Sequence, residues 1–212
     1  MTVAAIAPHE RISAAIRRAC GRNPALVAFL TAGFPRRELF RTQLSAVAGV
    51  ADVVEIGVPF TDPMADGLTI QRSSREALAQ GVTLRWILDE LAAMQAVNAP
   101  LLLMSYLNPL LAFGFAELAM AAEHARVAGF IVPDLPLEEA GPWCEAADAA
   151  GIETVMLAAP TAPDERLPRV VARARGFVYS VGLLGVTGER DVLAHTAAAL
   201  ARRLKAITDV PV

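Results

Sequence analysis

Cysteine is almost missing from this chain: Cys20 and Cys144 are the two in 212 residues, far apart and without CxxC spacing. That excludes a disulfide framework and a thiolate metal site, and it fits a reducing compartment, so the cytoplasm is the expected location. Histidine is scarce too, and His9, His124 and His195 show no ligand spacing, so no metal is expected. No Ser–His or Cys–His pairing suggests covalent catalysis. Net charge is −3, which provides no basic footprint for nucleic acid or for an anionic membrane. The longest apolar runs, such as Leu101 to Met104, are far too short to cross a bilayer. His9, Glu10 and Arg11 precede any apolar run, unlike a signal peptide. Neither GxGxxG nor GxxxxGK[ST] opens the first units of the chain.

What is present is apolar bulk. The chain is 55% hydrophobic and 19% charged, enough to bury a sizeable core in one domain over residues 1–212. Short apolar runs recur at Leu26–Thr31, Val53–Ile56, Leu101–Met104, Phe130–Val132, Thr154–Leu157 and Phe177–Ser180, and Val210–Val212 opens a possible seventh. Between them, helical patterns cover Arg37–Ala48, Leu84–Val97, Phe115–Arg126, Glu138–Ala149, Asp164–Arg173 and Thr196–Ile207. Continuous rather than alternating hydrophobicity predicts strands covered on both faces, the mark of a parallel sheet. Repeated strand–helix units then leave a doubly wound sheet or a (β/α)8 barrel. The missing phosphate loops favour the barrel, as do polar residues placed just after strands. A helix over Ile12–Cys20, ahead of the first strand, is placed to plug the barrel mouth. Six strands and the start of a seventh fall short of the eight a barrel needs. The expected fold is therefore an incomplete (β/α)8 TIM barrel, cut at the seventh strand.

The densest polar information follows Val53–Ile56. Glu55 is a carboxylate in an apolar strand, and Thr61, Asp62 and Asp66 follow in a loop punctuated by proline and glycine. An unpaired buried carboxylate is costly, so Glu55 needs either an arginine partner or a task. Burial raises a carboxyl group toward neutral pH, where it can both give and take a proton. Glu55 and Asp66 are thus the acid–base candidates, with an ion pair as the competing explanation for Glu55. Asp62 before Pro63 is the start of a turn. Tyr106 and Asn108 stand at another strand end, Pro133-Asp134-Leu135-Pro136 suggests a rigid turn, and Gly185-Val-Thr-Gly188 is a loop able to face an anion.

The run Glu55-Ile-Gly-Val-Pro-Phe-Thr-Asp-Pro-Met-Ala-Asp-Gly-Leu-Thr-Ile-Gln71 closely resembles the signature of the tryptophan synthase alpha subunit family. Ala28-Phe-Leu-Thr-Ala-Gly-Phe-Pro35, Met104-Ser-Tyr-Leu-Asn-Pro109, Val132-Pro-Asp-Leu-Pro136 and Tyr179 to Gly188 resemble that family's first, third, fourth and sixth strand regions, in order. The resemblance implies a barrel lyase that cleaves indole-3-glycerol phosphate to indole and glyceraldehyde 3-phosphate by a retro-aldol step. It makes Glu55 the general acid–base and Asp66 the group that stabilises charge at the indole N–H. It places Phe29, Tyr106 and Tyr179 in the substrate pocket, Thr187 in the closing loop and Gly188 at the phosphate. It implies no metal and no cofactor in this chain. The partner it implies is a beta subunit carrying pyridoxal phosphate in an alpha2–beta2 complex, with Pro59, Asp62 and Asn108 near that interface.

Two departures bear on this. Gly182-Leu-Leu184 stands where many relatives carry serine and a polar or basic residue. The family also continues past Val212 with the units that supply most of the phosphate site, so an impaired fragment, acting at most as a binding or activating partner of the beta subunit, is the alternative. A sister barrel such as indole-3-glycerol phosphate synthase is disfavoured, because Lys205 is the only lysine.

Overall fold

The structure is a computed structural model that describes residues 10–20, 24–182 and 190–212. Six strands form one parallel sheet in which spatial order equals chain order. They are β1 Val27–Thr31, β2 Val53–Gly57, β3 Leu101–Met104, β4 Val127–Ile131, β5 Glu153–Ala158 and β6 Val178–Ser180. The helices are α1 Arg11–Cys20, α2 Phe40–Ala48, α3 Leu68–Ala79, α4 Leu84–Ala93, α5 Leu107–Phe113, α6 Phe115–His124, α7 Gly141–Ala149, α8 Leu167–Arg173 and α9 Arg190–Lys205. Each strand therefore pairs with the one made just before it. Among the described residues β1 and β6 are the edge strands, and a cleft of about 980 Å3 opens where Val27, Phe177, Tyr179 and Val212 face one another.

The alternation of side chains along each strand sorts residues between two cores. Val54, Ile56, Leu101, Leu103 and Phe130 face outward and pack with Phe40, Leu44, Leu91 and Trp143 from the helices. Val53, Leu102, Ile131, Val155 and Phe177 face the concave interior. Ile12, Ala15 and Ile16 of α1 join that inner cluster, so the first helix plugs the lower mouth, as its position predicts. By the same period, Glu55 on β2 points inward, one layer above Val53.

Most elements match the sequence pattern, and the differences have physical causes. β4 starts at Val127, not Phe130, and carries a register shift opposite Leu101/Leu102. Gly129 is the reason a strand can pass there: a Cβ on it would lie 2.5 Å from the Glu153 carbonyl oxygen and 2.8 Å from Ile12 Cδ1. The helix α3 is absent from the sequence pattern. Its buried face is Ser73, Ser74 and Ala77, while Leu68 is 83% exposed, so no apolar stripe announces it. The short α5 escapes the pattern as well, because its first turn is fixed from elsewhere: Leu107 N–H donates to Asp134 Oδ1 at 2.8 Å. That bond also gives the Pro133–Pro136 turn a task. α4 stops at Ala93, short of Val97, and α7 and α8 begin at Gly141 and Leu167, three residues later than their patterns. α9 begins at Arg190 and ends at Lys205, where the pattern spans Thr196–Ile207. Val210–Val212 is not a strand, although the Val178 N–H donates to the Pro211 carbonyl at 2.8 Å, which brings the segment alongside β6.

Candidate functional site

Glu55 is the third residue of a strand buried throughout, and is itself 7% exposed. Its strand partners are Phe29 on β1 and Leu102 on β3. Among the described residues no arginine or lysine forms an ion pair with it. Burial lifts its pKa to about 7, with the negative charge of Asp66 adding to the rise. Glu55 can therefore hold or release a proton at neutral pH, as general acid–base chemistry requires.

Asp66 is held in place through Tyr106. The Tyr106 hydroxyl accepts the Ala65 N–H at 2.9 Å and donates to the Asp66 carboxylate. Tyr106 is 4% exposed and stacks on Phe60, with ring centroids 5.1 Å apart. Gln71 Nε2 closes the other side by donating to the Asp66 carbonyl at 2.9 Å. The loop after β2 is thus pinned at the residue whose charge reaches Glu55. Desolvation pushes Asp66 up, and the hydrogen bond from Tyr106 opposes that rise.

Tyr179, on β6, completes the upper layer. The Glu55 charge adds to the burial that raises its phenol. Phe29 lies across Gly57, where a Cβ would come within 2.5 Å of the Phe29 ring, so only glycine lets the ring cover the end of β2. The structure therefore gathers Glu55, Asp66, Tyr106, Tyr179 and Phe29 at the upper end of the strands. Pro59 is buried, whereas Asp62 and Asn108 are exposed. Asp62 accepts from the Thr61 hydroxyl at 2.5 Å, the local bond expected of a turn residue. Thr187 and Gly188 lie outside the described residues, as do Leu183 and Leu184.

Two supports have no sequence signal. The Thr31 and Ser73 hydroxyls share a buried hydrogen bond of 2.7 Å that ties the end of β1 to α3. Asp134 holds the turn after Tyr106 from 27 residues downstream. Among the described residues, no group of three His, Cys, Asp or Glu side chains is placed to hold a metal. Among them, too, no helix is long and apolar enough to cross a membrane.

The sequence profile described as tryptophan synthase alpha chain matches residues 17–212. The chain belongs to that family. It is 46% identical over 204 residues to the tryptophan synthase alpha chain of Desulfovibrio desulfuricans, covering 95% of this chain and 79% of the relative. To that of Nitratidesulfovibrio vulgaris strain DP4 it is 45% identical over 197 residues, covering 92% and 76%. Its fold superposes on the Mycobacterium tuberculosis tryptophan synthase structure with a TM-score of 0.87 and 33% identity, covering 95% of this chain and 78% of that one. The tryptophan synthase a2b2 complex of Pyrococcus furiosus gives a TM-score of 0.78 and 41% identity over 88% of this chain and 75% of that one. As a tryptophan synthase alpha chain family member the protein is a lyase of tryptophan biosynthesis, and its six strands are part of a TIM barrel.

Proposed function

We propose that Glu55 and Asp66 are the acid–base pair of an indole-releasing retro-aldol reaction on indole-3-glycerol phosphate. The observation that carries this reading is the inward Glu55, free of any cation partner among the described residues and held near neutrality, with Asp66 fixed beside it by Tyr106. In this mechanism Glu55 gives its proton to indole C3, forming the indolenine, and Asp66 offsets the positive charge that develops at the ring N–H. The carboxylate so formed takes the proton of the adjacent glycerol hydroxyl. The bond between C3 and the carbinol carbon then breaks, its electron pair returns to the ring, and the carbinol becomes the aldehyde of glyceraldehyde 3-phosphate. Proton and electrons balance within the two substrate halves and Glu55.

Phe29, Tyr106 and Tyr179 line the space for the indole in this reading, Thr187 is assigned to the loop that closes near Asp66, and Gly188 to the phosphate. No step draws on a cofactor of this chain; pyridoxal phosphate belongs to the beta subunit, which takes the indole in an alpha2–beta2 complex. Pro59, Asp62 and Asn108 are assigned to that contact. Met64 on the loop after β2 and Leu68 at the start of α3, each 83% exposed, supply apolar area for it. Residence in the cytoplasm belongs to this reading and is supported by the two free cysteines.

The test is indole release from indole-3-glycerol phosphate, with and without beta subunit, across pH. Because the protonated form of Glu55 starts the reaction and its pKa is about 7, kcat/KM falls as pH rises through that value. Absence of indole above the uncatalysed background in both arms overturns the reading. A second outcome concerns the tether. Tyr106→Phe removes the bond to Ala65 and the proton shared with Asp66, so turnover drops by about tenfold, the loss of one hydrogen bond to a charged group. Overall stability changes little, since the ring still stacks on Phe60. Undiminished kcat in Tyr106→Phe removes the tyrosine from the machinery.

A further inference from the structure

A second carboxylate is buried more completely than Glu55 and has no part in the chemistry above. Glu153, the first residue of β5, is 0% exposed. It shares the inward side of the strand with Val155 and Leu157, at the lower mouth. Its Oε1 accepts the Ile12 N–H at 2.8 Å, at the start of the plug helix α1. Among the described residues, its Oε2 has no hydrogen-bond partner. The slot around it is walled by glycines: a Cβ on Gly176 would lie 3.1 Å from Oε2 and 3.4 Å from Ile12 Cβ.

Among the described residues, the charged groups that face this slot are few. From α1, the Arg11 guanidinium and the backbone N–H groups of Arg11, Ile12 and Ser13 favour the anion. That guanidinium also donates to the Val127 carbonyl at 3.0 Å and to the Gly151 carbonyl at 3.4 Å. Glu123 of α6 acts on Arg11. β4 and the lead into β6 present Gly129 and Gly176 to the slot. A helix N-terminus and a nearby cation normally stabilise a carboxylate. Here burial outweighs both and holds the group at about 7. An ionised Oε2 in this slot is a buried charge without a donor, which is the costly state.

We propose that Glu153 is a proton-operated latch on α1: the neutral acid seats the plug in the barrel mouth, and ionisation loosens it. The plug carries Ile12 and Ile16 against Val53 and Phe177, directly below the layer of Glu55 and Tyr179. The latch thus lets pH act on the floor of the site without touching substrate.

The sign follows from linkage. A carboxyl raised in the folded state adds stability that is complete below its ordinary value of 4.5 and is lost as pH rises through about 7. The test is amide hydrogen exchange of α1 in the full chain, corrected for intrinsic rate and referred to β3, from about pH 5 to about pH 8. Carrying it out in a Glu55→Gln background silences the other titration. Protection of α1 falls by up to about tenfold per pH unit and levels off above neutrality, while β3 stays flat. Glu153→Gln keeps an acceptor for Ile12 and abolishes the slope. Arg11→Gln withdraws the cation that favours ionisation and moves the midpoint upward, a readout that survives if Glu153→Gln does not fold. The latch is refuted if α1 tracks β3 at every pH, if the slope persists in Glu153→Gln, or if the midpoint ignores Arg11→Gln.

Discussion

Glu55→Gln lowers the rate of indole release by a factor of about 10²–10⁴, the range typical for loss of a positioned general acid–base. The amide preserves the shape of the side chain in its layer, so substrate affinity, measured by equilibrium titration, stays within about threefold, the scale of an unperturbed contact set. The same substitution has a second signature of opposite sign. Below 4.5 the wild-type carboxyl is protonated in both folded and unfolded chains, and its stabilising share is lost as pH rises through about 7. Above neutrality the folded protein therefore carries a buried negative charge that glutamine lacks. Glu55→Gln is then more stable than wild type by roughly 3 kcal/mol in chemical denaturation at alkaline pH, and the gap closes on acidification. A variant that is inactive but more stable separates a catalytic carboxylate from one that holds the sheet together. Near-full turnover, or a loss of stability at alkaline pH, removes Glu55 from the role.

The largest expected loss of stability lies on the opposite side of the sheet. Trp143 of α7 is 2% exposed, with Phe130 of β4 edge-on at 5.1 Å and Phe115 of α6 tilted at 5.7 Å. It joins two helices to the middle of the sheet. Trp143→Ala leaves a void the surrounding strands cannot close, costing about 3–5 kcal/mol. Against a total of about 5–15 kcal/mol for a domain, that is at least about a fifth of the margin. Denaturant midpoints at fixed pH measure it, and a cost under about 1 kcal/mol would show that the outer layer can repack.

The strands were legible because parallel strands covered on both faces are apolar at nearly every position, and Leu101–Met104 is the plainest example. Glu55 was legible for the converse reason, as the one charged residue in such a run. The plug helix showed itself by its position ahead of the first strand. The helix α3 did not, since hydroxyls and a methyl group form its buried face. The start of β4 was hidden because Val127-Ala-Gly129 is small rather than bulky, which close passage by Ile12 requires. Glu153 and Asp134 were passed over for a different reason. Each acquires meaning from a backbone N–H that lies far away in the chain, at Ile12 and at Leu107, and no local pattern carries that information. The pair Glu55 and Asp66 stood out in sequence, while the tyrosine bond that fixes their relation emerged with the fold.

The contact between Ile12 and Glu153 joins residues 141 positions apart. During synthesis, α1 leaves the ribosome before any of the six strands and yet lacks its seat until β5 has followed it. At a translation rate of about 5–20 residues per second, that wait is roughly seven to thirty seconds. Throughout it, Ile12 and Ile16 have no interior to enter, while β1 to β4 can already pair in the order they emerge. A helix made before every one of the six strands is thus among the last elements to be placed, and its apolar face needs shielding until β5 arrives.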